Sequence, residues 1–169
     1  MHDVFPEYEF DRTELAFESA LSEQKATTAL IAEFRKRGTT LAFPEEETLF
    51  RQGDEPESVY LVLSGQVELT MPVSRTQAMG FRAIAGSLVG LPAAFGNRAY
   101  SMTATVRRGA ELVRMDRQQL GEMLGEAPIL ALDVLRILAS ETRSARIAIV
   151  DVSGGHRRRG LPRRSVHHA

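Results

Sequence analysis

The segment from Leu49 to Thr70, LFRQGDEPESVYLVLSGQVELT, constrains the fold more than any other part of the chain. Val59, Leu61 and Leu63 alternate with Tyr60 and Val62, the period-two pattern of a strand with two apolar faces. After Gly65, Val67, Leu69 and Met71 alternate with Gln66, Glu68 and Thr70, so the next strand has one apolar and one polar face. Gly53-Asp54 and Ser64-Gly65 are turn signals. A glycine at 65 supplies the positive φ of a tight hairpin, which predicts that these two strands are neighbours.

The remaining segments extend this pattern. Residues 12–36 read as helical, with Leu15, Leu21, Leu30, Ile31 and Phe34 as apolar positions, a capping-box spacing at Asp11 and Glu14, and a break near Ser22–Thr28. Arg35, Lys36 and Arg37 before Gly38 suit a helix C-terminus. Thr39–Phe43 and Glu47–Phe50 read as strands around a turn at Pro44-Glu45, and Gly80–Ala85 as a further strand. Thr103–Val106 and Glu111–Asp116 read as a strand pair around Arg107–Ala110. Gln118–Leu124 is a short helix, and a long helix is predicted from Pro128 to Val150. Glu141, Arg143 and Arg146 read as charges on its solvated face.

Several functional classes are excluded by what the sequence lacks. There are no cysteines, and the four histidines are His2, His156, His167 and His168, all near the termini. A β-roll metalloenzyme needs several inward-facing histidines, so neither a metal site nor a cofactor is expected. No cluster of nucleophile and base is visible, and the chain is read as non-enzymatic. No apolar stretch approaches the roughly 18 residues of a membrane span, and MHDVFPEYEF has no signal-peptide core. A cytoplasmic protein without membrane association is expected. From Ser153 onward the chain carries Arg157, Arg158, Arg159, Arg163 and Arg164 and no acids, which predicts a basic, disordered tail over 153–169.

Eight spaced residues, Leu49, Phe50, Gly53, Asp54, Tyr60, Val62, Gly65 and Val67, together resemble the opening of the cyclic-nucleotide-binding domain of catabolite-activator/FNR-like regulators. The resemblance extends over residues 12–150 and implies a mainly β jelly roll (β-roll) with N-terminal helices and a long C-terminal helix. In that family the ligand cassette resembles F-G-E-[LIM]-A-L…P-R-[ST]-A-[TS]-V. Gly90 and Ala93 match its first half, while Leu91 stands where the family has Glu. Thr103, Ala104, Thr105 and Val106 match its second half, while Met102 stands where it has Arg. The Arg would pair with the cyclic phosphate and the Glu would accept from the ribose. A degenerate pocket formed by Gly90, Leu91, Pro92, Ala93, Arg98, Met102, Thr103 and Thr105 is therefore expected, with Arg98 able to reach back from a longer loop. Pro92 withdraws one N–H from any anion at the short helix.

Ala131, Leu135, Leu138, Thr142, Ala145 and Ile149 recur at 4-3-4-3-4 spacing, an a/d seam that predicts a homodimer. The resemblance places such a helix at a dimer interface beside the ligand. The expected function is a stand-alone regulatory or sensor module that is a poor cAMP receptor. The alternatives are a structural dimer module with a filled pocket, or a transcription-regulator fragment with weak non-specific nucleic-acid binding through the tail. Without a winged helix after Val150, no sequence-specific DNA binding by the chain alone is expected.

Overall fold

A computed structural model describes residues 17–20, 24–72, 74–75 and 78–155. Within them nine strands form two sheets. The first contains β1 (Phe17–Ala20), β6 (Ala78–Ile84), β5 (Gln66–Pro72), β8 (Thr103–Val106) and β3 (Glu47–Phe50), in that spatial order. The second contains β2 (Thr39–Phe43), β9 (Ala110–Asp116), β4 (Ser58–Ser64) and β7 (Leu88–Val89). Every pairing is antiparallel except that of β1 with β6. The helices are α1 (Thr28–Arg37), α2 (Leu91–Gly96), α3 (Arg117–Glu126) and α4 (Pro128–Gly155). The mainly β roll with flanking helices matches the expectation.

Strand β4 explains the layering. Tyr60 and Val62 join Phe43, Phe50, Val67, Phe81, Tyr100 and Leu112 in the core between the sheets. Val59 and Leu61 join Leu30, Phe34, Met115, Met123, Val134 and Ile137 in a second core between the second sheet and the helices. A strand covered on both faces needs apolar residues at successive positions, as the sequence pattern here shows.

Three expected strand pairs are corrected. β4 and β5, on either side of Ser64-Gly65, lie in different sheets, and so do β2 and β3, and β8 and β9. Gly65 does have positive φ, +75°. Its use, however, is to carry the chain across the end of the roll. A Cβ there would lie 2.7 Å from the Cα of Ala110, so the corner closes tightly on β9. The three sheet-crossing turns meet at this end. Arg107 N–H donates to Gln66 O at 3.0 Å and Gly109 N–H to Phe43 O at 2.7 Å. The Arg107 guanidinium bridges Glu46 and Glu68, which ties the turns before β3 and after β8 to strand β5 with charge-assisted bonds.

The N-terminal region is corrected as well. Phe17–Ala20, expected to be helical, is a strand added parallel to β6, where it satisfies the backbone of an otherwise open edge. The Asp11/Glu14 capping box lies outside the described residues. The helix after the expected break is capped instead by Thr27, whose hydroxyl accepts from Leu30 N–H at 3.3 Å. It ends at Gly38, whose N–H donates to Phe34 O at 2.8 Å. Helix α3 starts with a reciprocal capping box between Asp116 and Gln119.

Helix α4 runs on past Val150 to the glycine pair Gly154-Gly155. Leu130, Val134, Ile137 and Glu141 form its inward stripe. Glu141 is therefore corrected from a solvated charge to a buried one, because it falls on the same helical face as Ile137. Arg143 is exposed as expected. Among the described residues no helix is long and apolar enough to cross a membrane.

Candidate ligand site

The region that resembles the nucleotide cassette begins where β7 ends. Gly90 caps α2 with φ +85°. A Cβ at this position would sit 3.0 Å from Tyr100 Cε1 and 3.2 Å from Ser58 O, so glycine is required by backbone conformation and by close approach. Tyr100 is the centre of the arrangement. Its hydroxyl donates to Ser58 O at 2.6 Å and accepts from Ser58 N–H at 3.3 Å. Its ring stacks on Phe50 at 3.6 Å between centroids, with 10° between planes. Phe50 also meets Tyr60 at 6.2 Å. Burial raises the phenol pKa of both tyrosines above the usual value, so each is a neutral hydrogen-bonding group at physiological pH.

The Gly53-Asp54 turn locks onto the same tyrosine. Gly53 N–H donates to Tyr100 O and Tyr100 N–H donates to Asp54 O, both at 2.9 Å. Asp54 Oδ2 in turn accepts from Arg51 N–H at 2.8 Å. The glycine and aspartate of the motif thus position an aromatic group inside the roll. Sequence reasoning missed Tyr100. The signal was its position immediately before the 101–106 segment, in a loop otherwise rich in small and polar residues.

The expected site residues separate into three groups. Gly90, Ala93 and Met102 lie against the roll interior, Ala93 and Met102 partly buried and packed on the aromatic core. Leu91 is fully buried, but in the layer between the second sheet and the helices. Pro92 and Arg98 are exposed, the latter closing the end of α2 with its backbone N–H on Ala93 O at 3.4 Å. Thr103 and Thr105 alternate with the buried Ala104 and Val106 and therefore face the outside of the first sheet. The Thr103 hydroxyl accepts from Gln52 N–H at 3.1 Å. The side chains packed in this part of the interior are aromatic and thioether groups, Phe50, Tyr60, Tyr100 and Met102.

On α4, Leu135 and Thr142 are exposed, while Ala131 and Leu138 are half-buried, with Leu138 packed on the protein's own helical-layer core. The side chains of Ala145 and Ile149 lie outside the described ones. Among its described side chains the large exposed apolar groups are Ile129, Leu132 and Leu135, at 66%, 50% and 56% exposure. No three metal-ligating side chains cluster among the described residues.

Residues 40–127, more than half of the chain, match the family profile described as a cyclic nucleotide-binding domain. No curated protein matches the sequence significantly. Among solved structures, the catabolite activator protein of Thermus thermophilus superposes with a TM-score of 0.65 at 22% identity, over 75% of this chain and 60% of that one. A transcriptional regulator of Thermotoga maritima gives 0.62 at 12% identity, over 73% and 98%. The c-di-GMP-responsive global regulator of Xanthomonas campestris gives 0.58 at 21% identity, over 78% and 64%. At these identities the structural likeness concerns the fold, and the chain spans less than two thirds of the first and third of these proteins. On the strength of the profile match and the roll that bears it, the chain belongs to the cyclic nucleotide-binding domain family.

Proposed function

We propose that this domain is a regulatory module whose ligand position has become apolar, so that it is not a tight cAMP receptor. One observation carries the reading: Met102 lies against the roll interior where the resembled cassette has Arg, and Tyr100 stacks on Phe50 there, while Leu91, standing where the cassette has Glu, turns into the helical layer. Losing a desolvated arginine–phosphate contact costs about 2–5 kcal/mol of affinity, by analogy with truncating one partner of a buried charge pair. Calorimetry on the purified chain tests it with cAMP, cGMP and c-di-GMP, the last because a structural relative is named as responsive to it. No cAMP binding tighter than about 1 μM, about −8 kcal/mol, is expected. Sub-micromolar cAMP binding would overturn the reading.

The output runs through α4, which is packed on the roll along one face and offers a second apolar face outward. That outward face supports a homodimer, in which a ligand or partner shifts the population of two helix arrangements. The second reading, a dimer module whose interior is filled, is favoured by the packing of Met102 and Tyr100 into the interior core. A thermal-shift screen with small apolar metabolites separates the two, since a ligand that binds only the native state raises the melting temperature. Both readings place the protein in the cytoplasm, with no enzymatic activity. Nucleic-acid contact is confined to salt-sensitive binding through the arginine-rich tail.

A further inference from the structure

Glu141 ends the inward stripe of α4, one turn beyond Ile137 and on the same face as Leu130 and Val134. It retains 7% exposure, and its Oε1 is completely buried without a hydrogen-bond partner, unlike every other described side-chain N or O atom. Such groups are rare in native structures, and each requires a reason. A carboxylate in this position is costly, whereas a carboxylic acid is tolerated.

The charged groups of the neighbouring helices are exposed, as Arg35 of α1 is, or engaged as follows. On α1, Glu33 pairs with Lys36 and Arg37, and Arg37 also pairs with Glu126 of α3. On α3, Arg117 donates to Asn97, and Glu122 accepts from Gln118. Lys25, ahead of α1, donates to Ser87. On α4 itself Asp133 holds Thr27 and Arg136, and Arg143 is exposed. None of them contributes to the proton affinity of Glu141, which burial alone raises.

We propose that Glu141 makes the seating of α4 on the protein's own core proton-dependent: protonated, it lies within the apolar stripe; ionised, it drives this turn of the helix out of its buried position. The site takes a proton as its ligand, and the bistable element is the half of α4 beyond Ile137. The inference stands on the packing of α4 and is independent of what binds inside the roll.

The direction follows from linkage. Burial pushes the Glu141 carboxyl up to about 8 from an ordinary 4.5. Below pH 4.5 the seated and released states are both protonated, and pH has no effect. Between 4.5 and 8 the seated state holds a proton that the released state has lost, so seating weakens as pH rises, by at most about tenfold per pH unit for one proton. Above 8 the loss is complete.

Two measurements on the full chain test this. Carbon-detected NMR of labelled glutamate side chains reads Glu141 directly, and titration well above the ordinary range is expected. Amide exchange from 137 to 143, corrected for intrinsic pH dependence, should show opening that rises between pH 5 and 8 by up to about tenfold per unit. Glu141→Gln should remove that rise, and Glu141→Leu should remove it while strengthening protection at every pH. Titration of Glu141 near 4.5 would overturn the proposal. So would a protection profile of Glu141→Gln with the same pH slope as the parent.

Discussion

Leu91 has no exposure, and its side chain belongs to the helical layer rather than to the roll interior. Reinstating the family's charge there would bury a carboxylate in the apolar helical layer instead of presenting it to the roll interior. Leu91→Glu is therefore expected to cost about 3–5 kcal/mol, the range for an uncompensated buried charge, as read from the denaturant midpoint. Met102→Arg, at a half-buried position beside the core, should cost less than half as much. Equal losses in the two variants would contradict the assignment of Leu91 to the helical layer. The apolar character of Leu91 and Met102 was legible in the sequence, but the direction in which Leu91 points was not. Residue type reports what a side chain is, while its layer depends on the turn taken at Gly90. Glu141 was illegible for a related reason: a charge on an amphipathic helix reads as solvated unless the adjoining layer is known to extend over it.

At the scale of elements, the bounds of several strands were legible and their partners were not, while β6 begins two residues before the expected Gly80 and β7 was not expected. Period-two alternation located Thr39–Phe43, Glu47–Phe50 and Thr103–Val106 as they occur. The same glycine signal serves a hairpin and a corner between sheets, and only the close approach of Gly65 to Ala110 distinguishes them. β1 was missed because its partner, β6, lies far away in sequence. Two glycines show how much context matters to an element. Gly121 lies inside α3 with nothing within 4 Å of an added Cβ, so Gly121→Ala should stabilise by about 0.5–1 kcal/mol through helix propensity and a less flexible unfolded chain. At Gly38 a Cβ would sit 2.5 Å from Val113 Cγ1 and 2.6 Å from the Arg114 carbonyl oxygen. Gly38→Ala must therefore push α1 off β9 and destabilise. Thermal unfolding of the two variants should move the midpoint in opposite directions, and a loss from Gly121→Ala would mean that α3 is constrained by something outside its own backbone.

For the molecule as a whole, α4 has one buried apolar stripe and exposed apolar groups away from it. Its inner stripe, Leu130, Val134 and Ile137, closes the core over the second sheet. Its outer apolar residues, Ile129, Leu132 and Leu135, lie at least half exposed. Large exposed apolar groups at helical spacing on one element are characteristic of an interface. In the proposed homodimer they and the exposed Thr142 would be the seam for a second copy of the chain. The register differs from a seam read from spacing alone, because Leu138 leans on its own core. Leu132→Asp and Leu135→Asp should each weaken a dimer by placing an unpaired charge in an apolar contact. Leu138→Asp should mainly destabilise the fold. Light scattering across a concentration series, alongside thermal unfolding, separates the two effects. A folded monomer for the first two variants and a lowered unfolding midpoint for the third are expected. A parent chain that stays monomeric at high concentration, or a dimer unaffected by both outer substitutions, would place the output of this domain on another surface.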